Sequence, residues 1–183
     1  QAAMKGRGIQ LSITSPQSVL GYKSFAVNDS NYIYIGRDRR LSANLRLQAA
    51  DGTGVLVSTE DADSTSLQNV TVSMNHFELG RLFAVLPFAP NISGVLDGDY
   101  HIVQTASDLT VSTDMTIKKL VYENCPMGDV GTQFVYMPKD GGSHYVDGII
   151  TQNGKEVGIL SGTYHSEGAG SLDATLEMNR FPL

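Results

Sequence analysis

The chain has 183 residues, and its 13 Lys and Arg stand against 19 Asp and Glu for a formal charge of −6. Acidic residues spread along a net negative chain argue against electrostatic binding to nucleic acid or to anionic lipid headgroups. One cysteine, Cys125, excludes an internal disulfide framework and a cysteine-based zinc cluster, and it reads as a small buried apolar residue.

No run of residues approaches the eighteen or so apolar positions of a spanning helix, since the longest apolar stretch, Leu82 to Phe88, contains Pro87. The chain opens Gln1-Ala2-Ala3 without an initiator methionine or a signal peptide, which leads us to expect a segment of something longer. From Gly8 to Ala50 the pattern is short alternating strands. Ile9, Leu11 and Ile13 interleave with Gln10, Ser12 and Thr14; Leu41, Ala43, Leu45 and Leu47 interleave with Ser42, Asn44, Arg46 and Gln48. One apolar and one wet face is the pattern of an antiparallel sheet covered on a single side. Arg37-Asp38-Arg39-Arg40 reads as a solvated turn rather than a phosphate site.

Asp51-Gly52-Thr53-Gly54 marks a turn before a strand at Gly54 to Thr59. The acidic loop from Glu60 to Ser66 lacks the ligand spacing of a calcium loop and reads as solvated. After a one-sided strand carrying Val70, Val72 and Met74 the period changes. Leu79, Leu82, Phe83 and Leu86 fall at helical spacing up to Pro87, and Asn75 with Glu78 imitates a capping box, so a helix of about three turns is expected near residues 76–86, covering an end or edge of the sheet.

Beyond Pro90 a strand from Ile92 to Gln104 is followed by Leu109, Val111, Thr113, Met115 and Ile117 on one face. Asn124-Cys125-Pro126 reads as a turn, and Lys139-Asp140-Gly141-Gly142 and Asn153-Gly154 read as hairpin turns. Gly94-Val95-Leu96-Asp97-Gly98-Asp99-Tyr100-His101 then returns sixty-four residues later as Gly158-Ile159-Leu160-Ser161-Gly162-Thr163-Tyr164-His165. Glycines at alternate positions of one strand face mark a bend or a close approach, and we read them as a sheet built to curve. Gly54, Gly94 and Gly158 are followed by Met74, Met115 and Met178, each with a leucine five residues on, which divides one array into units of about 54–79, 94–120 and a truncated 158–183.

The expected fold is therefore all-β: a curved, mainly antiparallel, repeat-built sheet with an apolar concave face and one short helix. Leu96, Tyr100, Ile102, Leu109, Val111, Met115, Ile117, Leu160, Tyr164, Leu172, Leu176 and Met178 are the candidates to line that face. Asp97, Asp99, Ser161 and Thr163 fall on the opposite face, expected in water.

The segments Leu86-Pro87-Phe88-Ala89-Pro90 with Ile92 to Gly98, Leu120 to Gly128, and Leu176-Glu177-Met178-Asn179-Arg180-Phe181-Pro182-Leu183 resemble the C-terminal region of the TamB family of translocation and assembly module proteins, related to the AsmA-like proteins, and its Bacteroides-type members in particular. The resemblance is most specific from about Leu79 onward. It implies a taco-like half-pipe crossing the periplasm of a Gram-negative envelope, an inner-membrane anchor outside this segment, and an Omp85-type outer-membrane barrel as partner. It also implies a part in moving phospholipid between the membranes or in assembling outer-membrane proteins, with no catalytic residue and no cofactor.

Physically, an uncovered aliphatic groove holds acyl chains at about 0.8 kcal/mol per buried methylene. An enzyme is disfavoured by the residues themselves: His76, His101, His144 and His165 lack metal-helix spacing, and neither a nucleophile elbow nor a phosphate-cradling glycine loop occurs. The competing reading is a secreted β-sandwich or solenoid that binds glycan or protein, weakened by the lack of tryptophan.

Overall fold

The computed structural model describes residues 1–20, 23–37, 40–60, 66–84, 88–139, 141–166 and 169–179. Fourteen strands form one sheet: β1 (Ala2–Lys5), β2 (Gly8–Leu11), β3 (Gln17–Leu20), β4 (Lys23–Val27), β5 (Tyr32–Gly36), β6 (Leu41–Gln48), β7 (Gly54–Thr59), β8 (Ser66–Glu78), β9 (Ile92–Thr105), β10 (Leu109–Tyr122), β11 (Cys125–Lys139), β12 (Ser143–Gln152), β13 (Lys155–His165) and β14 (Ser171–Met178), with one helix, α1 (Leu79–Phe83), between β8 and β9. The order is β1-β2-β5-β6-β7-β8-β9-β10-β11-β12-β13-β14, every pairing is antiparallel, and β4 joins the end of β6 and carries β3. The sheet is curved and open.

Short turns account for this meander. Asn153 and Gly154 both have positive φ, 49° and 76°, the pair a tight hairpin turn demands. Glu123 and Asn124 do the same at 47° and 65°, so the turn expected at Asn124-Cys125-Pro126 is made one residue earlier, and Cys125 and Pro126 already belong to β11. Pro126 is tolerated there because β12 pairs with β11 only from Val130 onward, leaving no ladder bond for its missing N–H on that side. Cys125 sits at this sheet end and is exposed, contrary to the buried position expected of it.

The helix is shorter than its apolar stripe implied. Asn75 does not cap it; residues up to Glu78 stay in β8, with Phe77 opposite Leu96 and Glu78 opposite Val95, because backbone groups already taken by β9 are unavailable to a helix. Glu78 stands at the N-cap without a side-chain hydrogen bond, and Leu79 is the residue that buries. The Leu82 side chain and residues 85–87 lie outside the described residues, as do residues 61–65 of the acidic loop and 38–39 of the arginine-rich turn.

The elements in contact are sheet neighbours, apart from α1 on β8 and β9 and a diagonal approach of β6 to β8. Among the described residues no second sheet packs on this one, and a buried apolar cluster occurs within Gly8 to Ala50, the stretch that reads as covered on a single side. The accessible surface is 11789 Å², roughly a third above the ~8,600 Å² of a compact monomer of this mass. What core exists is small: Phe25, Val27, Leu47 and Ala49, with Ile13 and Leu45 against them, where β4 meets β6. Asn31 secures the neighbouring loop, its side chain accepting from the Ile13 N–H at 2.7 Å and donating to the Ile13 carbonyl at 2.9 Å.

Candidate functional site: an uncovered apolar sheet face

Residues directly opposite one another across an antiparallel pair share a face, so the registers decide which side chains meet. Tyr100 faces Thr113 and Ile102 faces Val111; Gly98 faces Met115 and Leu96 faces Ile117. From β10 the face passes to Val130, Thr132, Phe134 and Tyr136 of β11, and then to Val146, Gly148 and Ile150 of β12. It reaches Gly158, Leu160, Gly162 and Tyr164 of β13, which stand opposite Met178, Leu176, Ala174 and Leu172 of β14. All twelve sequence candidates thus lie on one face.

The face extends further than the candidates did. Val70, Val72 and Met74 oppose Ile102, Tyr100 and Gly98, and beyond them come Val55 and Val57, Leu45 and Leu47, Ala43 and Ile33, and finally Leu11 and Ala2. The N-terminal residues were legible as alternating strands, but nothing in their spacing joins them to the C-terminal repeat; pairing does that. A depression of about 370 Å³ opens on this face around Leu11, Ile13, Ile33 and Leu45. Phe134, Tyr136 and Val146 were likewise missed, although the same period of two marks them.

The two faces differ in shielding. Between β9 and β13 the described side chains of the apolar face are buried or half-buried, with Leu109 the exposed one, whereas Asp99, Asp114, Gln133, Asp147, Ile149, Ile159 and Ser161 opposite are exposed. Asp97 and Thr163, expected in water with them, are half-buried. On β14 the apolar face opens out: Leu172 is 57% and Leu176 56% exposed.

The repeated glycines turn out to act in two ways. Gly94 has φ +139° and lies in a register irregularity, which is the bend the sequence suggested. Gly98 and Gly158 instead receive methionines: a Cβ would stand 2.9 Å from Met115 Cγ at Gly98 and 2.6 Å from Met178 Sδ at Gly158. Gly98 also has Met74 opposite it on β8, so methionines flank this bare position on both neighbouring strands. Tyr100 directs its hydroxyl to the Met115 sulfur. Leu56 of the first unit points to the other face with Arg46 and Ser73, out of phase with Leu96 and Leu160.

Toward the far end of β11 to β13, Tyr136 stacks on His144 with ring centroids 4.8 Å apart, and Tyr164 closes the group at 6.4 and 6.1 Å. Burial, and then the neighbouring Tyr164, push the Tyr136 phenol above its ordinary pKa. The polar face carries its own depression, about 440 Å³, bounded by Asp99, His101, Asp114, Gln133, Val135, Asp147 and Ile149. His101 Nε2 lies 2.8 Å from Asn69 Oδ1, and Gln133 donates to Asp114 at 3.0 Å. His165, its counterpart in the repeat, is exposed beside Asp173.

Among the described residues no group of three or more His, Cys, Asp or Glu is placed to hold a metal ion, and no helix is long and apolar enough to cross a membrane. No protein-family model, curated protein or solved structure matches the chain.

Proposed function

We propose that this chain is a section of a non-enzymatic, periplasmic envelope-biogenesis protein whose apolar sheet face carries phospholipid acyl chains between the inner and outer membranes of a Gram-negative cell, or supports outer-membrane protein assembly. The observation that carries the reading is a largely apolar face, running from β1 to β14, on which no second sheet packs among the described residues, the small cluster of Phe25, Val27 and Ile13 against Leu45 and Leu47 being its covered part. Water is a poor neighbour for such a surface. An acyl chain laid along it gains about 0.8 kcal/mol for each methylene removed from solvent, so a long chain is held by roughly 10 kcal/mol without a polar contact. Methionines over glycines suit the purpose, since a thioether side chain swings to fit an irregular guest. The inner-membrane anchor and an Omp85-type barrel partner belong to the same proposal through the resemblance to the TamB family.

A photoactivatable phospholipid tests it, with adducts mapped by mass spectrometry. Labelling at Leu96, Met115, Leu160 and Leu176 supports the reading, whereas labelling confined to the polar face, or absent, overturns it. In the variant Leu96→Glu, Leu109→Glu, Leu160→Glu, three carboxylates interrupt the path, and retained sheet structure with lost lipid adducts is the expected result. The second reading, a module that binds glycan or protein, is favoured by the depression between Asp99 and Asp147 on the polar face. Binding of soluble glycans by lipid-free protein, abolished by substitution at Asp99 and Asp147, would select it.

A further inference from the structure

Neighbouring strands lose their regular register along one line transverse to the sheet. On β8 an extra residue is inserted between Met74 and Phe77, opposite Asp97 of β9. On β10 an extra residue lies between Ile117 and Leu120, opposite Asp129 of β11, and the same stretch is irregular against β9 at Gly94. β11 adds its own extra residue at Met127.

The bulges are held by one repeated arrangement. His76 and Lys119 have φ of 56° and 52°, a left-handed conformation that side-chain-bearing residues adopt only when their surroundings enforce it. Each gives its N–H to an aspartate of the next strand: His76 to Asp97 at 2.8 Å, Lys119 to Asp129 at 2.8 Å. Lys118 bridges the other Asp97 oxygen at 3.1 Å. The Asp129 N–H goes to Asn153 Oδ1 at 2.9 Å, Gln152 donates to the bulged Met127 carbonyl at 2.6 Å, and the Thr53 hydroxyl donates to the His76 carbonyl at 3.1 Å. The bonds form a row from the start of β7 to the β12–β13 turn.

A single bulge twists and bends its own strand; bulges aligned on adjacent strands bend the sheet about one axis. We propose that this row is a crease, a built-in hinge that sets the angle between the long apolar face and the strand ends beyond it, with Asp97 and Asp129 as its latches. The strand ends past the row carry α1, the Glu123–Asn124 turn and the start of β11, so the angle decides how that end of the face stands relative to the rest. The crease follows from register and hydrogen bonds alone and does not rest on the acyl-chain reading.

The test uses lipid-free protein. Spin labels on the native, exposed Cys125 and on an introduced Ser107→Cys mark the two ends of β10, one beyond the row and one before it. In Asp97→Ala/Asp129→Ala the label distance lengthens by several ångströms and its distribution broadens, while the His76 and Lys119 amides exchange about tenfold faster. Asp114→Ala, on β10 but off the row, leaves both unchanged. Should the double variant not fold, Asp129→Ala alone removes one latch and shows the same lengthening to a smaller degree. Faster exchange at an unchanged distance would reduce the row to local capping and overturn the proposal, as would equal lengthening in Asp114→Ala. Lengthening in a protein that takes up no phospholipid would keep the crease and sink the conduit.

Discussion

Gly158 and Gly162 stand four residues apart on one face of β13, and replacing each by alanine separates two meanings of a strand glycine. Neither has a positive φ, so space decides. At Gly158 the nearest atom to a new Cβ is Met178 Sδ at 2.6 Å, near the end of a flexible side chain that is 43% exposed and free to swing away; the backbone, Glu177 O, is at 3.4 Å. Alanine also restricts the unfolded chain, worth about 0.4–1 kcal/mol, so Gly158→Ala should fall within about 0.5 kcal/mol of the parent. At Gly162 the same Cβ meets Asp173 O at 2.7 Å, Ala174 Cβ at 2.9 Å and Ala174 Cα at 3.1 Å, none of which moves without moving β14. Overpacking of that kind costs about 1–3 kcal/mol, and after the entropy gain a net loss of about 1–2 kcal/mol remains for Gly162→Ala. Urea unfolding reads the difference, and hydrogen exchange should place it in β14. Equal midpoints for the two variants would refute the register that sets Gly162 against Ala174.

Two further outcomes concern the row of bulges. Burial by itself would raise the Asp97 carboxyl, but the His76 N–H and the Lys118 ammonium outweigh it and hold it below the usual carboxylate range. A carboxyl depressed in the folded state stabilises above its unfolded pKa, near 3.8, and that contribution disappears as the pH falls through the folded value. Unfolding midpoints of the parent and Asp97→Asn should therefore differ at pH 7 and converge as the pH drops below 3.8; a gap that persists at pH 2 contradicts the hydrogen-bond assignment. Gly128 has φ +77°, and a Cβ there would lie 2.5 Å from Asn153 Oδ1, so Gly128→Ala should cost about 1–3 kcal/mol by thermal unfolding. Adding Asn153→Gly removes the clash and should restore part of the loss, and no recovery at all would locate the cost elsewhere.

The alternation of Leu109 to Ile117, the Asn153-Gly154 turn and the return of the Gly-x-Leu-x-Gly-x-Tyr pattern were enough to determine an all-β antiparallel meander and to put twelve apolar residues on a single face. These signals are local, a period of two and positive φ at turns, and local chemistry is what a sequence states directly. The helix was overstated because residues 75–78 satisfy a helical pattern and a strand pattern at once, and only β9, as a pairing partner, chooses between them. Tertiary structure alone decided that the face continues through Val70, Leu45 and Leu11 to β1, since that needs the register of every intervening pair. It alone decided that no second sheet lies on that face among the described residues, because alternating apolar residues read the same whether they form a core or an open surface. The alignment of the bulges at His76, Lys119 and Met127 belongs to the same class: each is one extra residue in its own strand, and they become a line only when the strands stand side by side.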